Sequence, residues 1–92
     1  MREVVLSNRF KRDLKRAVRR GCDITLLEKT VNILAEGRFL PESSRDHSLT
    51  GKWKGYRECH IEPDWLLIYK AVENELILLL MRTGTHADLF GL

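Results

Sequence analysis

The chain has 92 residues, of which 16 are Lys or Arg and 13 are Asp or Glu, giving a formal net charge of +3. That length supports a single domain over residues 1–92 whose folding buries roughly 60–65% of the unfolded surface, and it excludes a second one. No run approaches the ~18 apolar residues of a membrane span, no signal-peptide pattern opens the chain, and two cysteines (Cys22 and Cys59) cannot make a disulfide framework, so a soluble, cytoplasmic protein with no membrane partner is expected.

Val4, Val5 and Leu6 form a short β-prone run, after which Ser7 or Asn8 can cap a helix. Phe10, Leu14, Ala17 and Val18 recur in it at helical spacing, on a surface otherwise crowded with Arg9, Lys11, Arg12, Lys15, Arg16, Arg19 and Arg20 and opposed only by Asp13. Gly21 ends this helix. Thr25 followed by Glu28 has the form of a capping box, and Leu27, Val31 and Leu34 mark one face of a second helix that Gly37 and Pro41 stop.

Residues 41–51 are polar and aperiodic, a connector inside one domain. Tyr56 to Ile61, Trp65 to Val72 and Leu76 to Met81 are then rich in aromatic and branched residues and are separated by turn-forming stretches, which predicts two consecutive hairpins. The continuous apolar run Leu76 to Leu80 suits a central strand covered on both faces. The resulting order β-α-α-β-β-β is an α+β fold: an antiparallel sheet packed on one side by an N-terminal helical hairpin, its other face free.

Charge placement matters more than the net value, and the basic first helix together with Lys52, Lys54 and Arg57 around Trp53 and Tyr56 points to nucleic acid. The same basic helix is also readable as a solvated face. His47, His60 and His86 each lie near another chemically capable group: Asp46, Glu62 with Asp64, and Arg82. Cleavage of RNA by its own 2′-OH needs a base, an acid and a cation for the charge on the phosphorane. Imidazole suits proton transfer near neutrality, and a forked guanidinium suits phosphate. Arg82 therefore takes the cationic role, and His60, Asp64 and His86 share the other two.

Strand alternation puts His60 on the same side as Tyr56 and Glu58, with Cys59 and Ile61 opposite. Asp64 reads equally as an ordinary turn residue, His47 as a surface residue or a substrate contact, and Trp65 and Phe90 as core or as platforms for an unpaired base. No metal is expected: no Cys-x-x-Cys or His-x-x-x-His spacing occurs, and neighbours Cys59 and His60 face opposite ways. Nothing points to a cofactor, a phosphate-binding glycine loop or a cysteine nucleophile.

Several segments together resemble the YafQ branch of the RelE/ParE toxin superfamily. They are Asp46-His47-Ser48-Leu49, Gly51-Lys52-Trp53-Lys54-Gly55-Tyr56-Arg57, His60-Ile61-Glu62-Pro63-Asp64-Trp65, Leu67-Ile68-Tyr69-Lys70, Arg82-Thr83-Gly84-Thr85-His86 and Leu89-Phe90. The match runs from Asp46 to Gly91; the N-terminal half adds the order of elements and a basic first helix. The resemblance implies the toxin of a type II toxin-antitoxin pair, an endoribonuclease that cleaves mRNA in the decoding site of the ribosome and is silenced by a cognate antitoxin. It implies functional positions at His47, His60, Asp64, Trp65, Arg82, His86 and Phe90. Among these, His86 and Asp64 form the proton-transfer pair, His60 assists and Arg82 holds the scissile phosphate. Lys52 and Lys54 join the expected substrate contacts. Two other classes compete: a ParE-like gyrase inhibitor without catalysis, and an RNA-binding module without cleavage.

Overall fold

The computed structural model describes residues 1–91. Strand β1 (Glu3–Leu6) leads into α1 (Asn8–Arg19) and α2 (Ile24–Ala35), followed by β2 (His47–Ser48), β3 (Arg57–Glu62), β4 (Trp65–Val72), β5 (Ile77–Gly84) and α3 (His86–Phe90). The sheet runs β1-β5-β4-β3-β2. The three C-terminal strands form the predicted meander, but the sheet is mixed, because β1 lies parallel to β5, pairing Glu3 with Ile77 through Leu6 with Leu80. A strand that leaves through a helical crossover and a later strand that closes the sheet beside it can meet in this way. The two-residue β2 and the short α3 are also additions to the predicted order.

Ser7 is the N-cap of α1, its hydroxyl accepting from the Phe10 N–H at 2.9 Å. At α2 the cap is Asp23, two residues before the expected Thr25: a carboxylate is a strong acceptor at a helix N-terminus, and it takes the Thr25 N–H at 3.0 Å. A true capping box occurs instead at α3, between Thr85 and Asp88. The buried stripe of α1 is Phe10, Asp13 and Ala17 with Leu14 packed beside it, whereas Val18 is exposed. The apolar stripe is thus rotated, and an acid sits on it.

The main core lies between the two long helices and one face of the sheet, with α1 over β5 and α2 over β3. Cys59, Trp65, Leu67, Tyr69, Leu78 and Leu80 meet Phe10, Ala17, Leu27 and Leu34 there. The opposite face is covered rather than free: Leu66, Ile68 and Leu89 form a second cluster with Leu49, Trp53, Tyr56, Met81 and Phe90. The strand buried on both faces is β4, where Trp65 through Tyr69 are all buried; in the run expected to be central, Leu76 is an exposed turn residue and Leu79 is only half-buried.

A bulge in β5 shapes the end of the sheet. Tyr69 pairs with Leu80 but Ile68 with Arg82, so Met81 is the extra residue and Arg82 comes level with Ile68. Because β1 ends at Leu6, the outer edge of β5 is unpaired beyond Leu80. Backbone groups in the interior need partners. Here they come from α1 and its cap: the Ser7 hydroxyl donates to the Met81 carbonyl at 2.6 Å, and the Thr83 N–H donates to Asp13 at 3.1 Å.

Candidate active site

The register across β3, β4 and β5 aligns His60 with Leu66 and Leu66 with Gly84, so the last strand ends beside His60. Immediately beyond Gly84, Thr85 caps α3 and His86 is that helix's first residue. The turn between β3 and β4 brings Asp64 to the same place. One carboxylate oxygen of Asp64 accepts the His86 backbone N–H at 2.9 Å and lies 2.5 Å from the ring Nδ1. The His60 and His86 rings meet edge on, with centroids 5.6 Å apart. His60 and Asp64, which flank one turn, and His86, 22 positions beyond Asp64, are therefore one cluster.

Within it the roles differ. Asp64 is exposed, and its pKa is lowered from the ordinary value of 3.8, first by the His86 backbone N–H and then by the ring. It is a carboxylate at neutral pH. A carboxylate on Nδ1 favours the tautomer in which Nδ1 carries the proton, and it leaves Nε2 for another partner. His60 is mostly buried, with its Nε2 3.6 Å from Glu58 Oε1, beyond a good hydrogen bond; His47 reaches the same oxygen at 3.7 Å from the other side. Glu58 itself is 6% exposed, a buried acid between two histidines.

Arg82 is held differently. Its Nε and Nη2 donate to the two oxygens of Asp13 at 2.8 and 2.9 Å. This pairing raises the guanidinium pKa, so its charge is permanent. Arg82 also lines a groove of about 380 Å³ with Arg9, Arg12, Arg16 and Arg19. A second cleft, of about 420 Å³, opens between His60 and the segment Ser43 to Arg45.

Helix α3 is anchored by Asp88, which accepts from the Thr85 N–H at 2.9 Å and from Arg20 at 2.6 Å. Arg20, then the Thr85 bonds, hold the Asp88 carboxyl far below its ordinary range. Gly84 leaves room for this anchor: a Cβ there would lie 2.8 Å from Asp88 Oδ2 and 2.9 Å from Asp88 Cβ.

The remaining expected positions separate. Trp65 is a core residue, 5% exposed, and its indole N–H donates to Thr83 Oγ1 at 2.9 Å. It supports the end of β5 from beneath, and burial on the helix side leaves it no face on which a base can stack. Phe90 packs at the rim of the second cluster. His47 is exposed and its Nδ1 lies 2.7 Å from the Arg45 carbonyl. Lys52 and Lys54 are exposed around a tight turn, with Lys52 Nζ 6.0 Å from the Trp53 ring centroid. Cys59 is fully buried, and burial pushes its thiol pKa up to about 12, which suits packing and not nucleophilic attack.

Sequence reasoning gave no site role to Asp13, Glu58, Asp88 or Arg20, although alternation placed Glu58 on the face of His60. Asp13 carried a signal as the sole acid of a basic helix, three residues after Phe10 and thus on the buried face. Nothing local marks the Arg20 to Asp88 pair, which spans 68 positions.

Two long helices on one face of a small mixed sheet, with a histidine and aspartate cluster just beyond the last strand and Arg82 on that strand, define the class: a toxin of RelE-like fold. A family described as the bacterial toxin of a type II toxin-antitoxin system, YafQ, matches residues 2–91, and the chain belongs to that family. The mRNA interferase toxin YafQ of Escherichia coli K12 is 43% identical over 91 residues, spanning 98% of this chain and 97% of the relative. The structure of the E. coli DinJ-YafQ complex superposes with a TM-score of 0.90 at 42% identity, covering 99% of this chain and all of the other. A metal-bound toxin from Helicobacter pylori superposes with a TM-score of 0.92 at 42% identity, over 98% of this chain and all of the other.

Proposed function

We propose that this chain is an endoribonuclease that cleaves mRNA on the ribosome, without a metal in the chemical step, and is held inactive by a cognate antitoxin. The observation that carries the reading is the His86 ring, oriented by Asp64 and in contact with His60, at the end of the strand that supplies Arg82. The names and complexes of the related toxins support it. In this scheme His60 takes the 2′-OH proton as the oxygen attacks phosphorus. Arg82 offsets the charge that grows on the non-bridging oxygens. His86, whose ring Asp64 orients, gives a proton from Nε2 to the departing 5′ oxygen. The products are a 2′,3′-cyclic phosphate, or the 3′-phosphate after hydrolysis, and a 5′-hydroxyl. Membership of the YafQ family and the complete histidine and aspartate cluster both weigh against a ParE-like gyrase inhibitor.

The test is cleavage of mRNA on programmed ribosomes, read by mapping the new 5′ ends. His86→Ala is expected to slow it by about 10²- to 10⁴-fold and Arg82→Ala by about 10²- to 10³-fold. Wild-type rates in either variant would show the site to be misassigned. Toxin dialysed against EDTA before addition to magnesium-containing ribosomes is expected to retain full activity, and a loss restored by a transition metal would overturn the metal-free step. Gyrase supercoiling in the presence of the toxin separates the competing class.

A further inference from the structure

Arg82 is a long, flexible side chain at a bulge, yet it is held by two short bonds to a single buried carboxylate. We propose that Asp13 is the positioning residue for Arg82: it clamps the Nε and Nη2 edge of the guanidinium and so aims the Nη1 edge at the phosphate. This rests on the reading of Arg82 as the group that meets the scissile phosphate. Asp13 is only 5% exposed, and both its oxygens are engaged, by Arg82 at 2.8 and 2.9 Å, by the Thr83 N–H at 3.1 Å and by Arg16 at 3.1 Å. The Thr83 bond ties the carboxylate to the backbone next to Arg82, and the helix places it on the core-facing stripe, so neither partner can drift. A guanidinium has five donors in a rigid fork; Asp13 uses two, and the rest stay available. An anion on the wrong side of Arg82 lowers the field at the phosphate. A fixed fork outweighs that loss, because a misplacement of about 1 Å in a reacting assembly costs up to 10²-fold in rate.

A purely structural role for Asp13, as the partner of a strand edge, is the competing account, and a double-mutant cycle separates the two. Single-turnover cleavage on programmed ribosomes is measured for Asp13→Asn, Arg82→Ala and the double variant, each across a range of toxin concentrations. Asparagine still accepts the Thr83 N–H but cannot take both guanidinium bonds. Arg82→Ala leaves Asp13 its bonds to Thr83 and Arg16. The expected result is a saturating rate about 10- to 100-fold lower for Asp13→Asn, with half-saturation moved less than about threefold and no further loss when it is added to Arg82→Ala. A wild-type rate for Asp13→Asn beside an impaired Arg82→Ala overturns the positioning role while leaving the functional reading intact, as do additive losses. A wild-type rate for Arg82→Ala overturns the functional reading itself, and the positioning role with it. If circular dichroism shows Asp13→Asn unfolded, Asp13→Glu is read by the same criteria, since its extra methylene shifts the clamp without removing its charge. The Arg82 Nε–H resonance is expected to exchange slowly in the wild type and fast in either variant that folds; equal exchange in the two counts against the clamp.

Discussion

Asp64 illustrates how a side chain acquires a role from what it touches. In the sequence it is an acid after a proline, where turns commonly place one. In the structure two donors of His86 converge on one of its oxygens, and the proposed scheme gives it the task of orienting that ring. Its folded-state pKa is depressed, so the pairing is complete above the ordinary value of 3.8 and is lost as pH falls through the lower folded value. Two outcomes follow. Asp64→Ala is expected to slow cleavage by about 10- to 100-fold, and Asp64→Asn, which keeps an acceptor but no charge, by less. The advantage of wild type over Asp64→Asn is expected to persist down to about pH 5 and to vanish only below the ordinary value of 3.8, where Asp64 gains its proton. A pH-rate series checks this; convergence near neutrality would mean that another group carries the effect.

At the scale of elements, the end of β5 and the start of α3 act as one unit. The bulge at Met81 sets the register of Arg82, and Gly84 lets Asp88 fold back over the strand to bind Thr85 and Arg20. His86 is the residue immediately after this joint. Gly84→Ala brings a Cβ within 2.9 Å of Asp88, and the conflict cannot be relieved without moving α3. We expect it to lower stability by about 1 to 3 kcal/mol, the usual cost of overpacking, and to lower the cleavage rate of the folded fraction by more than about tenfold, because His86 shifts with the helix. Thermal unfolding together with single-turnover cleavage measures both. A destabilised variant of wild-type rate would show that the position of α3 does not matter to chemistry. The strands, both long helices and the glycine stops were legible in the sequence because alternation, periodicity and φ-permissive residues are local. The bulge, the parallel β1 to β5 pairing and α3 were not, since each depends on a partner far along the chain.

For the whole molecule, a net charge of +3 is small, but the groove of Arg9, Arg12, Arg16, Arg19 and Arg82 concentrates positive charge along one helix and the end of β5. Arg16 and Arg82 are paired with Asp13, whereas Arg9, Arg12 and Arg19 make no ion pair among the described residues. Unpaired arginines on one helix face release counterions when they meet phosphate, so binding to ribosomes is expected to weaken steeply with salt. Replacing Arg9, Arg12 and Arg19 together with alanine is expected to make the slope of log affinity against log salt shallower by about 2 to 3. Equilibrium binding to programmed ribosomes over a salt series tests it, and an unchanged slope would place these arginines outside the RNA contact. No helix among the described residues is long and apolar enough to cross a membrane.

The sequence by itself determined the α+β class, most element boundaries and the residue types of the cluster. It also placed His60 and Glu58 opposite Cys59, because strand alternation and helical periodicity are properties of neighbouring residues. Only the tertiary structure decided what those residues touch. Trp65 changed from a candidate base platform to a core residue when α1 and α2 closed over it, Asp64 became the partner of His86 through a contact 22 positions away, and Arg82 gained its clamp from a helix 69 positions earlier. Burial and orientation are set by groups that meet only in the folded chain, and it is those two quantities that turn a list of capable side chains into a site.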